Sequence, residues 1–312
     1  MADLTVPGAG VAQAPTRRRR KIHFQAILAT IPMIVIAISV FFVAILFTIY
    51  WSFTNSGMFP GWGWVGLRQY EILWNTNNWQ IAVSNIWFFG IMSLIINLVV
   101  GFLLAVFMDQ NIRQESVFRS IFLYPFAMSL YVTGLAWQWI LDPNLGLQVA
   151  VRSWGWTDFT FAPLGDPRQA MIGVILGGCW QGAGVTMAIL LAGIRGVDQE
   201  IWKAAKIDGI PTWKTYLYIV IPMMRGAIAT TLVLQLTGII RTFDIVVSMT
   251  GGGPGIATWM PAMYVINAIQ QKLNVGQGSA AATMMLAPIA VLLLIRGIVS
   301  WNNSRRAGMN AS

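Results

Sequence analysis

Residues 195–222 read RGVDQEIWKAAKIDGIPTWKTYLYIVIP. Asp198 is a suitable N-cap for a helix, and Glu200 in the first turn of that helix complements the helix dipole. Gly209 can adopt the left-handed conformation that ends such a helix. Pro211 suits the first position of a second helix. The stretch therefore predicts two short helices that are joined at a glycine.

The sequence on both sides of this stretch is strongly apolar. Of the 312 residues, 56% are hydrophobic and 10% are charged, whereas a soluble domain carries about 25% charged residues. The mean hydropathy is +0.65. This composition predicts an integral membrane protein and excludes an ordinary soluble enzyme. The single Cys179 and the single His23 exclude a disulfide framework and a metal site built on these residue types.

Six stretches are long enough and apolar enough to cross a membrane, which takes about 20 residues in a helix. The first is too long for a signal peptide, and no cleavage site follows it. We therefore predict an all-α integral membrane protein with six transmembrane helices within residues 25–301. The six stretches are 25–51, 81–108, 120–141, 169–194, 226–250 and 279–301.

The distribution of positive charge predicts the orientation of these helices, because cytoplasmic loops collect Lys and Arg. With the N-terminus inside, 14 Lys and Arg residues fall in inner segments and 4 in outer connections. Both termini are therefore expected in the cytoplasm, residues 1–24 as a disordered basic tail and residues 302–312 as a second tail. The net charge of +9 follows from this topology, so membrane lipid is the expected surrounding and nucleic-acid binding is not expected.

The predicted outer connections are long and contain seven Trp residues. Such residues are typical of an aromatic belt at the membrane interface, and they would equally suit a docking rim for a soluble partner. The sequence leaves both interpretations open. The connections are 52–80, 142–168 and 251–278.

Apolar residues recur at helical spacing in both predicted helices of the 195–222 loop. They are Ile201, Ala204, Ala205 and Ile207 on one side of the first helix, and Trp213, Tyr216, Leu217 and Ile219 in the second. An apolar face of this kind needs a groove to cover it. Because the sequence predicts no soluble domain, we expect that groove to belong to another subunit.

The loop resembles the EAA loop of ATP-binding-cassette (ABC) importer permeases, whose pattern is roughly E-A-A-x-x-D-G-x(6)-F-x-x-I-x-L-P. The matching residues are Lys203-Ala204-Ala205, Asp208-Gly209, Tyr216, Ile219 and Pro222. Asp244 and residues 250–254 (TGGGP) resemble the segment that follows in carbohydrate-importer permeases of the maltose and glycerol-phosphate type. The resemblance covers about residues 25–301 and is greatest to the first permease of glucose/mannose-type importers.

This resemblance implies a type I ABC importer permease in the cytoplasmic (inner) membrane of a prokaryote. The implied partners are a second homologous permease subunit, two copies of an ABC ATPase and an extracytoplasmic sugar-binding protein. Lys203 stands where the family has Glu, and Glu200, three residues earlier on the same helical face, could substitute for it. The loop would couple to the ATPase through Glu200, Lys203, Ala204, Ala205, Asp208 and Gly209.

The sequence contains no phosphate-binding P-loop, since no Gly precedes a Lys. We therefore expect no cofactor on this chain, with ATP and Mg²⁺ bound by the partner ATPase. The chain is then a transport subunit and not an enzyme. It would supply half of a sugar path that works by alternating access.

A sugar is uncharged and rich in hydroxyl groups, so its path needs amides, hydroxyls and aromatic rings. The fifth crossing offers Gln235, Ile239 and Thr242, which share a face at helical spacing. In the family that this chain resembles, these positions and those chosen in the fourth crossing line the pore. The alternative is that they hold helices together. The fourth crossing contributes Trp180, Gln181, Gly182 and Val185.

Arg241 and Asp244 are the only opposite charges within one predicted crossing. Charge inside a membrane is costly and usually marks function or a pair. At a spacing of three residues the two side chains can neutralise each other, or they can form a gate or contact the solute. Both residues are therefore candidates for the path.

Two other functional classes fit the sequence less well. An ion-coupled secondary transporter or channel subunit would want buried carboxylates along its path and broken helices, and only Asp244 is available as a carboxylate within a crossing. A membrane enzyme would need a cluster of His, Asp or Glu residues, which the sequence does not offer.

Overall fold

A computed structural model of the chain describes residues 24–59, 61–110, 112–240 and 242–288. Within these ranges the regular structure is helical, and the only β-type pairing is an isolated antiparallel bridge between Thr54 and Trp64. The predicted all-α architecture is therefore confirmed. The chain divides between Phe47 and Thr48 into two compact units. The predicted tails lie outside the described residues, apart from Phe24.

An apolar helical stretch begins in the first unit and ends at Ser52, just beyond the boundary. Helix α1 (Phe24–Ala37) continues through a π-helical segment (Ile38–Val43) into α2 (Ala44–Ser52). Ser39 Oγ donates to the carbonyl oxygen of Val35 at 2.7 Å, so this hydroxyl is satisfied within the helix. The stretch Thr30–Ser52 is long and apolar enough to cross a membrane.

The second unit contains the remaining helices. They are α3 (Arg68–Trp74), α4 (Asn77–Asp109), α5 (Glu115–Ala127), α6 (Leu130–Ile140), α7 (Leu147–Ser153), α8 (Ala170–Arg195), α9 (Gln199–Ile207), α10 (Thr212–Lys214), α11 (Ile221–Met223), α12 (Arg225–Ile240), α13 (Phe243–Thr250) and α14 (Pro261–Ile266). Short segments of other helix types are Pro163–Gly165 (3-10), Thr215–Val220 (π) and Asn267–Gln271 (π). Residues 275–288 are also helical.

Helix α8 is the centre of the second unit, because it packs against α4, α5, α6, α12 and α13. Small residues permit this close packing. A Cβ atom on Gly184 would collide with the carbonyl oxygen of Phe122 in α5. One apolar core surrounds Ile175 near the start of α8, and another surrounds Leu191 near its end.

Three described helices are long and apolar enough to cross a membrane, namely Thr30–Ser52, Asn77–Asp109 and Ala170–Arg195. Two bent helix pairs would raise the number of spans to five if each pair is one span. The predicted sixth crossing, 279–301, lies mostly outside the described residues. The number six therefore stays a prediction.

The predicted third crossing, 120–141, is not one straight helix. Helices α5 and α6 meet at an angle of 102°, with Met128 in extended backbone between them. Ser129 caps α6, since its Oγ accepts from the backbone N–H of Val132 at 3.3 Å. Gln181 of α8 donates its Nε2 to the carbonyl oxygen of Met128 at 2.7 Å, which satisfies the group that the break exposes.

The predicted fifth crossing, 226–250, is also interrupted. Helix α12 ends at Ile240 and α13 begins at Phe243. Thr242 Oγ1 donates to the carbonyl oxygen of Ile239 at 2.7 Å, a local bond that competes with regular helix. Because Thr242 is not part of α12, helical spacing does not place it on one face with Gln235 and Ile239, contrary to what the sequence predicted.

Candidate functional site

A cavity of about 650 Å³ lies among α4, α5, α6, α8, α12 and α13. Its polar lining consists of amide and hydroxyl groups and one carboxylate, and three phenyl rings add aromatic surface. The polar residues are Ser93, Asn97, Ser129, Gln181, Gln235, Thr237, Thr242 and Asp244, and the aromatic residues are Phe89, Phe126 and Phe243.

Most of the predicted path residues line this cavity. They are Gln181, Gly182 and Val185 from α8, Gln235 and Ile239 from α12, and Thr242 and Asp244 from the start of α13. The fold thus brings residues of the predicted fourth and fifth crossings to one space. Arg241 lies outside the described residues, and with it the predicted Arg241–Asp244 pair.

Trp180 is the predicted path residue that the described cavity lining does not include. Its side chain is 42% exposed, and its ring centroid lies 6.2 Å from that of Trp137. Ile172, Leu176 and Trp180 recur every four residues on α8, and all three are exposed. Trp180 therefore belongs to an apolar stripe on a different face of α8 from Gln181.

The cavity also contains residues that the sequence did not single out. Ser93 and Asn97 of α4 line it, at a spacing that places them on one helical face. Gly90 and Gly101 extend that face, and all four residues are buried. This row of small and polar residues within an otherwise apolar crossing was the available signal.

The polar groups on the α12 side of the cavity are bonded within the protein. Gln235 Nε2 donates to Thr186 Oγ1 at 3.3 Å, and Thr237 Oγ1 donates to the carbonyl oxygen of Val233 at 2.9 Å. Thr242 is bonded in the same local way. Gln235 therefore links α12 to α8 as well as lining the cavity, whereas the two threonine hydroxyls are satisfied by nearby backbone.

The polar groups on the opposite side are only partly bonded. Ser93 Oγ, Asn97 Oδ1 and Gln181 Oε1 are buried and have no hydrogen-bond partner among the described residues. Buried polar groups are normally paired. We call these three residues the unpaired wall.

A second group of polar side chains lies at the far ends of α4 and α8 and at the start of α5. Arg195 Nη1 donates to Glu115 Oε1 at 2.7 Å, and Nη2 donates to the carbonyl oxygen of Met108 at 3.2 Å. Arg195 Nε lies 3.7 Å from Asp109 Oδ1. Tyr216 donates its hydroxyl to Asp109 Oδ2 at 3.1 Å. We call Asp109, Glu115, Arg195 and Tyr216 the ionic cluster; it joins the 195–222 loop to three helices.

Charge and burial fix the protonation states in this cluster. The hydrogen bond from Arg195 lowers the pKa of Glu115 below its usual value. Burial raises the pKa of Tyr216 to about 12, and the Asp109 carboxylate adds to the rise. At neutral pH Glu115 is therefore a carboxylate and Tyr216 keeps its donor proton.

The loop has the local structure that its sequence predicts. Asp198 Oδ1 accepts from the backbone N–H of Glu200 at 3.0 Å, and α9 begins at the next residue after the cap. Gly209 has a φ of +68°, and the N–H of Ile210 donates to the carbonyl oxygen of Ala205 at 3.0 Å. The N-cap and the glycine turn are both present.

Residues 97–306 match the protein family described as binding-protein-dependent transport system inner membrane component. The chain belongs to this family. The probable ABC transporter permease protein PH1215 of Pyrococcus horikoshii is 36% identical to this permease over 271 residues, which are 86% of this chain and 92% of the relative. The trehalose/maltose transport system permease protein MalF of Thermococcus litoralis is 25% identical over 232 residues, which are 73% and 76% of the two chains.

The fold of the permease is also seen in a solved transporter structure. The structure is that of a bacterial alginate ABC transporter in complex with an alginate pentasaccharide-bound periplasmic protein. The TM-score is 0.73 at 18% sequence identity, with 87% of this chain and 92% of that chain covered. The predicted type I ABC importer permease fold is therefore confirmed, as is the prediction that the chain is a transport subunit and not an enzyme.

The loop of the permease presents an exposed surface. Glu200, Lys203, Ala204, Asp208 and Gly209 are exposed, whereas Ala205 packs inward. The predicted common side of Ile201, Ala204, Ala205 and Ile207 is wrong, because Ala205 is buried while Ile207 is 84% exposed. Two residues apart on a helix, these side chains point about 200° away from each other. The exposed large apolar side chains are Ile207, Trp213, Leu217 and Tyr218.

Proposed function

We propose that this permease is one of two membrane subunits of an ATP-driven sugar importer, and that the cavity is part of the sugar path. The lining of the cavity carries this proposal. It combines amides, hydroxyls and phenyl rings, and Asp244 is the only charged residue among the described lining residues. Small-molecule sites of about 300–1,000 Å³ with a few placed polar groups bind through such a combination.

The names of the relatives support a sugar as the transported substrate, and the cavity lining favours a neutral sugar. MalF of Thermococcus litoralis is named for trehalose and maltose transport, and the alginate transporter imports an acidic polysaccharide. An acidic sugar would need cationic partners. No Lys or Arg is present among the described residues of the cavity lining.

We infer six transmembrane helices within residues 25–301 of a prokaryotic inner membrane, with residues 1–24 and 302–312 as cytoplasmic tails. The 14 inner Lys and Arg residues against 4 outer ones support this orientation. A second homologous permease completes the path, two ATPase copies bind ATP and Mg²⁺, and an extracytoplasmic protein delivers the sugar. This chain itself needs no cofactor.

The proposed contact with the ATPase is the 195–222 loop. Its four exposed apolar side chains suit a groove on a partner. Glu200 would take the role of the Glu that Lys203 replaces, since both side chains are exposed. Closure of the ATPases on ATP would then move the loop, and the ionic cluster would pass that motion to α4, α5 and α8.

Reconstitution tests the proposal directly. Proteoliposomes containing the permease, its second permease subunit and its ATPase, with binding protein outside and ATP inside, are tested for uptake of D-glucose, D-mannose, maltose and trehalose. We expect ATP-dependent uptake of at least one sugar, and none from vesicles that contain this permease alone. Uptake by the permease alone would support an ion-coupled secondary transporter, which family membership does not favour. No uptake by the full complex would overturn the sugar assignment.

A further inference from the structure

We infer that the unpaired wall, formed by Ser93, Asn97 and Gln181, is a further binding surface for sugar hydroxyl groups within the cavity. This inference rests on the proposed function. It adds helix α4, which the sequence did not associate with the path, to the helices that contact the substrate.

The two residues from α4 are placed together by the helix. Ser93 and Asn97 are four residues apart and therefore lie one above the other on one face. They are 5% and 6% exposed, and Gln181 on the facing helix α8 is also 6% exposed. All three line the same cavity. Two helices thus contribute polar groups to one side of it.

Glycine provides the space in which the Asn97 amide lies. A Cβ atom on Gly182 would lie 3.0 Å from Asn97 Oδ1 and 3.1 Å from Asn97 Nδ2. This is closer than ordinary van der Waals contact, so a Cβ atom at position 182 would require the amide to shift by a few tenths of an ångström. Gly182, itself in the cavity lining, therefore lets the Asn97 amide lie close to α8.

The missing hydrogen bonds, together with the place of these residues in the cavity lining, favour a ligand surface over a contact between helices. Polar residues that hold membrane helices together do so by bonding across the interface. Here Ser93 Oγ, Asn97 Oδ1 and Gln181 Oε1 have no partner among the described residues, although α4 and α8 pack directly on each other. Gln181 uses its other polar atom, Nε2, for the carbonyl oxygen of Met128.

The chemistry of the free groups selects a class of ligand. All three atoms can accept a hydrogen bond, and two of them, the amide oxygens, can only accept. A neutral polyol presents several hydroxyl donors to such acceptors, whereas a carboxylate or phosphate presents none. The wall therefore fits the hydroxyl groups of a sugar and disfavours a carboxylate or phosphate group placed against it.

Variants of α4 test this inference in the reconstituted complex, with the best-transported sugar of the four-sugar panel. Asn97→Leu keeps the approximate volume and removes the amide. We expect it to lower the number of sugar molecules moved per ATP about tenfold, as for one lost hydrogen bond to a buried group. Ser93→Ala should lower it about threefold. Ser84→Ala, at an exposed position of the same helix, is the matched control and should change nothing.

The outcomes separate this inference from the proposed function. Assembly and basal ATP hydrolysis should stay normal in both variants, because no protein partner of these atoms is lost. Normal sugar transport per ATP in Asn97→Leu would overturn the inference while the proposed function stands. Loss of assembly in both variants would also overturn it, because it would show that the residues hold helices together. Failure of the unmodified complex to move any sugar of the panel would instead contradict the proposed function.

Discussion

The cavity and the ionic cluster are built on the same two helices, α4 and α8, but their polar groups are in opposite states. On the unpaired wall, Ser93 and Asn97 leave acceptors unbonded. In the ionic cluster, Arg195 at the end of α8 donates two hydrogen bonds, and Asp109 at the end of α4 accepts one and lies 3.7 Å from Arg195 Nε. Unbonded acceptors suit the sugar binding that we infer for the cavity, and bonded groups at the helix ends suit the connecting role that we propose for the cluster.

The two regions are joined by tightly packed helix. Gln181 and Arg195 are 14 residues apart, about 21 Å along α8. Between them a Cβ atom on Gly101 of α4 would collide with the side chain of Thr186, and Leu191 is fully buried. Close-packed interiors transmit displacement and do not absorb it. On the proposed function, a movement of the loop would reach the cavity through α4 and α8 together.

The largest effect is expected from Gly209→Val, which breaks the connection at the loop itself. Gly209 has a φ of +68°, a conformation that a β-branched residue adopts only with strain. We expect normal membrane insertion and loss of sugar-stimulated ATP hydrolysis. Gly209→Asn, which tolerates this conformation better, should keep most of the activity. Normal stimulation in Gly209→Val would show that the loop does not couple the permease to the ATPase.

Arg195→Gln tests the ionic cluster as a connector. The change removes the contacts to Glu115 and Asp109, and we expect coupled transport to fall about tenfold with sugar binding in the cavity unaffected. Ion pairs at partly exposed positions contribute little to stability, about 0–1 kcal/mol, so the thermal midpoint of the purified complex should change only slightly. Arg113→Gln is the matched control, since no ion pair to Arg113 is present among the described residues. Equal effects of both variants would contradict the connector role.

The cluster also predicts a pH dependence. Arg195 lowers the pKa of Glu115 in the folded protein. The contribution of this ion pair to the stability of the cluster is therefore complete above the ordinary carboxyl pKa, and it is lost as pH falls through the lowered pKa. Coupling should therefore be unchanged by this group between about pH 6 and pH 8. If coupling were lost on acidification between about pH 8 and pH 6, and if Glu115→Gln restored it, that result would contradict a lowered pKa of Glu115.

The N-cap and the glycine turn of the loop could be predicted from the sequence because their signals are local, whereas the predicted common side of Ile201, Ala204, Ala205 and Ile207 was wrong. The Asp198 cap and the Gly209 turn need only their own neighbours. The breaks in the third and fifth predicted crossings could not be predicted in this way. The bend at Met128 is supported by Gln181 from another helix, and hydropathy averaged over 20 residues does not register a two-residue break between apolar helices.

The candidate site was predictable in part for a related reason. The α8 and α12 residues were found because a family resemblance gave positions in the pore. Ser93 and Asn97 were missed because polar residues in an apolar helix are more often packing contacts, and sequence does not reveal whether a buried group lacks a partner. Trp180 lies on a different face of α8 from Gln181, and that placement likewise depends on how α8 is rotated against its neighbours.

Gln235→Leu tests the difference between unbonded binding groups and bonded structural groups, because Gln235 lines the cavity and is also bonded to Thr186 at 3.3 Å. We expect transport to fall about tenfold with assembly and basal ATP hydrolysis near normal, since one donor and one acceptor leave the sugar path. Thr242→Val, which removes one hydroxyl, should have a milder effect. Failure of both variants to assemble would place these residues with the structural contacts of α12.

The smallest effect is expected from Tyr216→Phe, which removes only the hydroxyl that the loop donates to Asp109. The family pattern has Phe at this position, so the ring itself satisfies the packing against Phe102 and Trp202. The lost hydrogen bond to a carboxylate is worth about 1.5–3 kcal/mol when fully formed, but Arg195 remains beside Asp109 and should retain most of the connection. We expect sugar moved per ATP to fall less than threefold. Because burial raises the pKa of Tyr216 to about 12, the hydroxyl donates throughout the usable pH range, and the ratio of variant to unmodified activity should be independent of pH. A loss as large as that in Arg195→Gln would show that the tyrosine hydroxyl, and not the arginine, is the main connection between the loop and the helices.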